Sequence, residues 1–317
     1  MRYYYFNPFS KQYYFPVGFR KYPIFTSFYQ PYKASARLMW KIWQTSSLFR
    51  RIFSTTKPEK FLPLEDIKNY VTPCSILTFN LGTKGVEQKI SILGVERSTS
   101  AAFYIKYATS KIACTNVCNE GNVLKQLTHL PFVPKLELSI CKENEFALIK
   151  TTVLVGDKMK YRPIDKQMLT ILFTLSDQTV VSARNYSSGI RSCFSHGDFC
   201  PWNMLVNNGK IDLFDWELAG EYPLGYDLFM YIFQFEFLVN EMNRFDCMLD
   251  QNADVIQQYF NHFEIEEWIP YLQEFSMLRC KLELEKNNSQ LIEPYLKLKE
   301  YATKMNIKQE HVIHSFS

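Results

Sequence analysis

Residues 195–217 read SHGDFCPWNMLVNNGKIDLFDWE, and no other stretch constrains the fold as much. Two short apolar runs, Met204 to Val206 and Ile211 to Phe214, flank Asn207-Asn208-Gly209. That is the turn chemistry of a tight β-hairpin. Asp198 and Asn203 lie in the loop before the hairpin, and Asp215 ends its second strand. The chain thus delivers a carboxylate, an amide and a second carboxylate to one short strand–turn–strand unit. Phosphoryl transfer from a nucleotide needs such a set. One carboxylate orients the acceptor hydroxyl, while an amide oxygen and another carboxylate hold the divalent cation that neutralises the phosphates. An Asp in a turn is more often only solvated. The spacing of Asn203 and Asp215 from Asp198 makes this one a candidate.

His196-Gly197-Asp198-Phe199-Cys200-Pro201-Trp202-Asn203, followed by Asp215-Trp216-Glu217, resembles the aminoglycoside phosphotransferase and choline kinase-like family. The spacing from Asp to Asn equals that of the protein-kinase catalytic loop. The resemblance implies an α+β, two-lobed protein-kinase-like fold, with a small antiparallel-sheet lobe carrying one helix and a mainly helical second lobe. It implies Asp198 as catalytic base, Asn203 and Asp215 as ligands of Mg²⁺, and ATP or GTP as phosphoryl donor. His196 reads as a scaffold residue. Asp227, in Pro223-Leu-Gly-Tyr-Asp227-Leu228, corresponds to the family's Asp that supports the loop backbone. Trp202 and Trp216 read as packing, and Glu217 as either orienting the metal site or capping the next segment.

The small lobe is expected over 60–148. Its strands are read at 75–80, 89–93 and 102–107, with a helix from about Thr115. Between the first two strands, Gly82, Lys84 and Gly85 occupy the place of a nucleotide-covering loop, where glycine lets backbone amides approach phosphates. The loop is not G-x-G-x-x-G. Lys106 on the third strand and Glu120 on the helix are similar to the family's phosphate-binding Lys and its Glu partner. Residues 149–156 are expected to form the hinge. Backbone groups there, around Ile149 and Thr151, would bind the adenine edge. Residues 157–317 form the second lobe, with helices expected at 165–179, after Asp227 through Asn240, and at 251–263, 265–286 and 288–304.

Residues 1–58 differ from the rest. They hold ten Lys/Arg and no Asp or Glu, against 26 basic and 32 acidic residues in the remainder. Scattered prolines oppose a regular helix over 1–33. Residues 34–53 have helical periodicity, and Met39, Ile42, Trp43, Phe49 and Phe53 can share one face. Two readings stay open: an aromatic extension packed on the core, or a basic amphipathic helix on an anionic membrane surface. Lys/Arg clusters are too sparse to suggest nucleic acid. No apolar run reaches transmembrane length, and the N-terminus lacks the compact apolar segment of a secretory leader. The eight cysteines contain no C-x-x-C pair. Free thiols in a reducing cytoplasm are therefore expected, with at most peripheral attachment to the inner face of a membrane.

The expected activity is transfer of a γ-phosphate to a hydroxyl of a small molecule such as an aminoglycoside, choline or a sugar. Tyr222, Glu236, Glu241 and Asp246 are available to an acceptor pocket. The alternative is a nucleotide-binding or membrane-surface scaffold that kept the fold without catalysis.

Overall fold

The computed structural model describes residues 3–6, 12–29, 34–52, 54–55, 62–142, 145–178, 189–242 and 244–315. Phe53 and Thr179, used above as a face residue and a helix end, lie outside them. The chain forms two compact units, Met1–Val155 and Gly156–Ser317.

The first unit is built on an eight-stranded antiparallel sheet. Its strands are β1 (Tyr3–Phe6), β2 (Tyr13–Pro16), β3 (Ser54–Thr55), β4 (Ile76–Asn80), β5 (Ile90–Val95), β6 (Ala102–Ala108), β7 (Leu136–Lys142) and β8 (Phe146–Thr152). The spatial order is β3-β1-β2-β4-β5-β6-β8-β7. The N-terminal segment therefore extends the sheet: β2 pairs with β4, setting Tyr14 opposite Phe79. Side chains alternate across a strand with period two, and this segment fills both faces. Tyr3 and Tyr14 join Leu77, Phe79, Ile92 and Ile105 in one core. Phe6 and Phe15 join Ile76, Leu93 and Val95 in the other.

Two single turns, α1 (Pro23–Thr26) and α4 (Leu64–Ile67), flank the helices α2 (Ala34–Thr45) and α3 (Ser47–Ile52). Trp40 and Trp43 of α2 stack with ring centroids 5.2 Å apart, and both are buried against Phe6 and Phe15. The face expected from periodicity is thus split. Trp43 turns inward, while Met39, Ile42 and Phe49 are exposed.

The helix α5 (Lys111–Gln126) begins earlier than Thr115, because Ser110 caps it by accepting from the Ala113 amide. A disulfide joins Cys118 of α5 to Cys141 of β7. This corrects the expectation that all eight cysteines are free thiols. The two residues lie 23 apart in sequence, and only the return of the chain along β7 brings their Cα atoms to 5.9 Å.

In the second unit, β9 (Asp157–Lys158), β11 (Met204–Asn207) and β12 (Lys210–Leu213) form one small sheet. Asn208 and Gly209 turn the β11–β12 hairpin with positive φ, as a tight hairpin requires. The strands β10 (Ser192–Ser195) and β13 (Gly220–Pro223) pair antiparallel. Around them lie α6 (Lys166–Ser176), α7 (Tyr226–Phe235), α8 (Phe245–Gln251), α9 (Ala253–His262), α10 (Ile269–Glu285) and α11 (Ser289–Ser315). Met168, Leu169, Ile171, Leu172 and Leu175 of α6 are all buried, as their helical spacing implies. Every residue of α7 from Tyr226 to Gln234 is buried, which makes it the central helix of this unit.

Candidate active site

The hairpin and its preceding loop hold the second unit's candidate residues together. Asp198 is half-buried. Its Oδ2 accepts from Asn203 Nδ2 at 2.7 Å and from Trp202 Nε1 at 3.3 Å. Asn203 Nδ2 also donates to the Asp198 carbonyl, at 3.0 Å. With its nitrogen so committed, the Asn203 side chain has its oxygen to offer a cation. Trp202 is thus more than packing, whereas Trp216 is fully buried and donates to the Leu213 carbonyl.

His196 is buried with both ring nitrogens engaged. Nδ1 accepts from the Asp198 amide at 3.3 Å, which leaves Nε2 to donate to the Phe214 carbonyl at 3.0 Å. This ring fastens the loop to the hairpin and has no nitrogen left for proton transfer. Gly197 adopts φ +82°, and a Cβ there would strike the Leu218 carbonyl oxygen. Only glycine fits the turn that presents Asp198.

Asp227, at the start of α7, accepts from the His196 amide at 2.6 Å and the Gly197 amide at 3.0 Å. Burial pushes its carboxyl up to about 7, the two amide bonds oppose that rise, and the charge of Asp198 adds to it. The folded-state pKa then lies above the unfolded value of roughly 3.9. Between the two values the native state binds the extra proton. The group therefore stabilises the fold most in acid, and that contribution is lost as pH rises from about 4 through about 7. At 1.36 kcal/mol per unit, the decline is at most about 4 kcal/mol. Urea unfolding across this window should show wild-type stability falling relative to Asp227→Asn, whose amide does not titrate. Parallel pH profiles for the two proteins would contradict the shift.

Asp215 has left-handed backbone, φ 69° and ψ 58°, at the entry to the 3₁₀ turn Trp216–Leu218. A non-glycine residue in this region costs of order 1–3 kcal/mol, and such costs cluster at functional sites. Glu217 follows in the turn, half-buried. Sequence reading passed over Lys158 on β9. Its Nζ donates to the Trp202 carbonyl at 3.2 Å and lies 5.5 Å from the Phe214 ring centroid. Burial lowers its pKa and the charge of Asp215 opposes that. No motif marks Lys158. It arrives because β9 pairs with β11, setting Leu205 opposite Lys158. Cys200, inside the loop, is fully buried, and burial and Asp198 together hold its thiol protonated.

In the first unit, Lys106 Nζ and Glu120 Oε2 lie 2.6 Å apart, both almost fully buried. Gly82 and Gly85 fall in the β4–β5 connection. A Cβ on Gly82 would collide with the Lys89 carbonyl oxygen, so the loop's own turn already requires that glycine. Gly85, at φ +154°, stands in open space, and Lys84 is exposed. Ser110 ties this loop to the start of α5 by donating to the Val86 carbonyl.

Ile149 and Thr151 do not fit the role expected of them. Both lie inside β8, which is flanked by β6 and β7. Ile149 stands opposite Lys106 and Ser139, and Thr151 opposite Tyr104 and Leu136. Ladder hydrogen bonds on both sides occupy the backbone groups that an adenine edge would need. Backbone outside the ladder begins only after Thr152.

The family model described as the phosphotransferase enzyme family matches residues 174–263. Among curated proteins, no sequence matches this chain. Among solved structures, the chain is similar to a Plasmodium vivax ethanolamine kinase at 12% identity. That likeness covers 86% of this chain and 94% of the other, with a TM-score of 0.52. It is also similar to an amicoumacin kinase in complex with AMP-PNP, Ca²⁺ and Ami, at 11% identity over 70% and 88% of the two chains, with a TM-score of 0.47. A third likeness is to a thermostable mutant of aminoglycoside phosphotransferase APH(4)-Ia bound to ADP and hygromycin B, at 9% identity over 71% and 93%, with a TM-score of 0.48. The fold is kinase-like and mixed α+β. The resemblance to the aminoglycoside phosphotransferase and choline kinase-like family rests on the sequence match and this fold together.

Proposed function

We propose that this protein is a nucleotide-dependent phosphotransferase that phosphorylates a hydroxyl of a small molecule. The observation that carries the reading is the Asp198–Asn203 arrangement. A half-buried carboxylate is held by an amide donor and an indole donor on a loop anchored by Asp227. Asp198 positions and accepts the proton of the acceptor hydroxyl. Asn203 and Asp215 offer hard oxygen ligands, the donor set that suits Mg²⁺. When bound, that cation neutralises phosphate charge. Lys106, oriented by Glu120, is assigned to the nucleotide phosphates, and backbone after Thr152 to the base. Alignment and charge complementarity supply most of the rate in such chemistry. The donor in this reading is ATP or GTP.

The aromatic setting favours an amino alcohol as acceptor. Tyr161 stacks on Phe235 at 4.2 Å and on Tyr231 at 5.6 Å, and the Tyr231 ring lies 6.0 Å from Phe199 of the catalytic loop. Buried Glu236 holds the Tyr161 hydroxyl and accepts from Asn240 at 2.7 Å. Aromatic faces beside a carboxylate suit an alkylammonium group. Glu241 and Asp246, by contrast, are exposed. The similar ethanolamine kinase supports the same class.

The first test is thermal unfolding with and without Mg²⁺-ATP and Mg²⁺-GTP. A ligand that binds only the folded state at 100 times its Kd stabilises by about 2.7 kcal/mol. A rise in Tm that requires the metal supports the reading, and choline, ethanolamine and aminoglycosides are then tried as acceptors. No rise with either nucleotide would favour the scaffold alternative.

A further inference from the structure

Lys158 carries no role in the phosphotransferase reading, yet the fold brings its ammonium group to the residues assigned to the metal. β9 pairs with β11 and β11 with β12, which lines up Lys158, Leu205 and Asp212 across the small sheet. From there Nζ donates to the Trp202 carbonyl at 3.2 Å and stands over the Phe214 ring, 5.5 Å from its centroid. Trp202 immediately precedes Asn203, and Phe214 immediately precedes Asp215. The two segments are joined by the Phe214 amide, which donates to the Asn203 carbonyl at 3.1 Å. The ammonium is therefore held where the two assigned ligands leave the chain. Its carbonyl and ring partners carry no net charge. Burial lowers its pKa, and the negative charge that opposes this is that of Asp215. Both side chains are half-buried, where charges are screened less than on an open surface.

We propose that Lys158 is a built-in counter-charge to Asp215 that makes the site select the metal–nucleotide complex over the bare metal ion. This rests on the assignment of Asp215 to the metal in the phosphotransferase reading. The sign of the electrostatics carries it. A bare divalent cation approaching Asp215 meets a fixed positive charge, and the repulsion weakens its binding. A cation carried by a nucleoside triphosphate arrives as part of a net anion, because the phosphates outweigh it. The same ammonium then attracts the ligand. One fixed charge thus disfavours the first species and favours the second. The residue has a second link to the site. The Trp202 indole donates to Asp198 Oδ2 at 3.3 Å, so a test must separate the charge of Lys158 from its support of the loop.

The test is binding of Mn²⁺ to the full chain, alone, with ATP and with GTP, read by the electron paramagnetic resonance of the free ion. Mn²⁺ takes the same oxygen ligands as Mg²⁺. Lys158→Met and Lys158→Gln both remove the charge, and Lys158→Gln keeps a donor for the Trp202 carbonyl. Both should bind Mn²⁺ alone at least about ten-fold more tightly than wild type, the least by which one charge close by changes proton affinity at a carboxylate. Both should bind Mn²⁺ with nucleotide more weakly, since the same charge acts there with the opposite sign. Lys158→Arg keeps charge and donor and should stay near wild type in each assay. Melting by circular dichroism without metal checks the fold of each variant, and if Lys158→Met does not fold, Lys158→Gln decides. A residue that only supports the loop gives a different pattern. Both affinities then fall together, or Lys158→Met alone departs from wild type, and either result overturns the proposal. Unchanged Mn²⁺ affinity in both variants, beside normal binding of Mn²⁺ with nucleotide, overturns it and leaves the phosphotransferase reading intact. Mn²⁺ bound by none of the proteins, with or without nucleotide, overturns both.

Discussion

Asp198→Asn is expected to cost at least about a hundred-fold in phosphoryl transfer while leaving Mg²⁺-nucleotide binding within about two-fold of wild type. The substitution is nearly isosteric. Its amide oxygen can still accept from Asn203 Nδ2 and Trp202 Nε1, the two donors that hold Asp198 Oδ2. The loop beneath stays fastened through His196, Gly197 and Asp227. What disappears is the negative charge that the proposed mechanism uses to orient the acceptor and take its proton, and positioned proton transfer contributes roughly 10²–10⁴ in rate. The measurement is nucleotide consumption with the best acceptor found, beside nucleotide-induced stabilisation of the same variant. Turnover within a few-fold of wild type would remove Asp198 from the mechanism. Loss of binding together with turnover would recast it as a residue that shapes the loop.

Asp215 should give the opposite split. Losing its carboxylate is expected to weaken Mg²⁺-dependent nucleotide binding by about a hundred-fold, the upper end of what loss of an outer-shell partner alone costs. Two variants separate charge from backbone. Asp215→Ala removes the ligand and also places alanine at φ 69°, where Cβ is disfavoured. Asp215→Asn keeps a residue that tolerates that conformation and removes only the charge. If the metal-dependent rise in Tm vanishes in both, Asp215 acts as a ligand. If it vanishes in the alanine variant alone, its role is to hold the left-handed turn. A rise unchanged in both would move the metal elsewhere.

How much of this was legible in the chain depended on how local each interaction is. The β11–β12 hairpin announced itself because Asn208 and Gly209 can take the positive φ that few other residues accept. The bond from Asn203 to Asp198 spans five residues. The core of α6 followed from spacing alone, and the mixed α+β, kinase-like fold followed from the resemblance those motifs carry. Interactions between distant segments were not legible. Lys158 carries no motif and reaches Trp202 only through the β9–β11 pairing. The Cys118–Cys141 bridge depends on β7 returning beside α5. Ile149 and Thr151 looked available to a nucleotide until β7 and β6 were found on either side of their strand.

The N-terminal segment marks the division most clearly. Its sequence alone determined that it is aromatic, basic and without acidic residues, and that residues 34–53 repeat with helical period. The tertiary structure decided that β1 and β2 extend the sheet and that Trp40 and Trp43 turn inward while Ile42 and Phe49 turn out. Periodicity says which side chains share a face, because that is set by the helix's own geometry. Which face is covered depends on what the rest of the chain brings against it, and here both faces were apolar enough to be chosen.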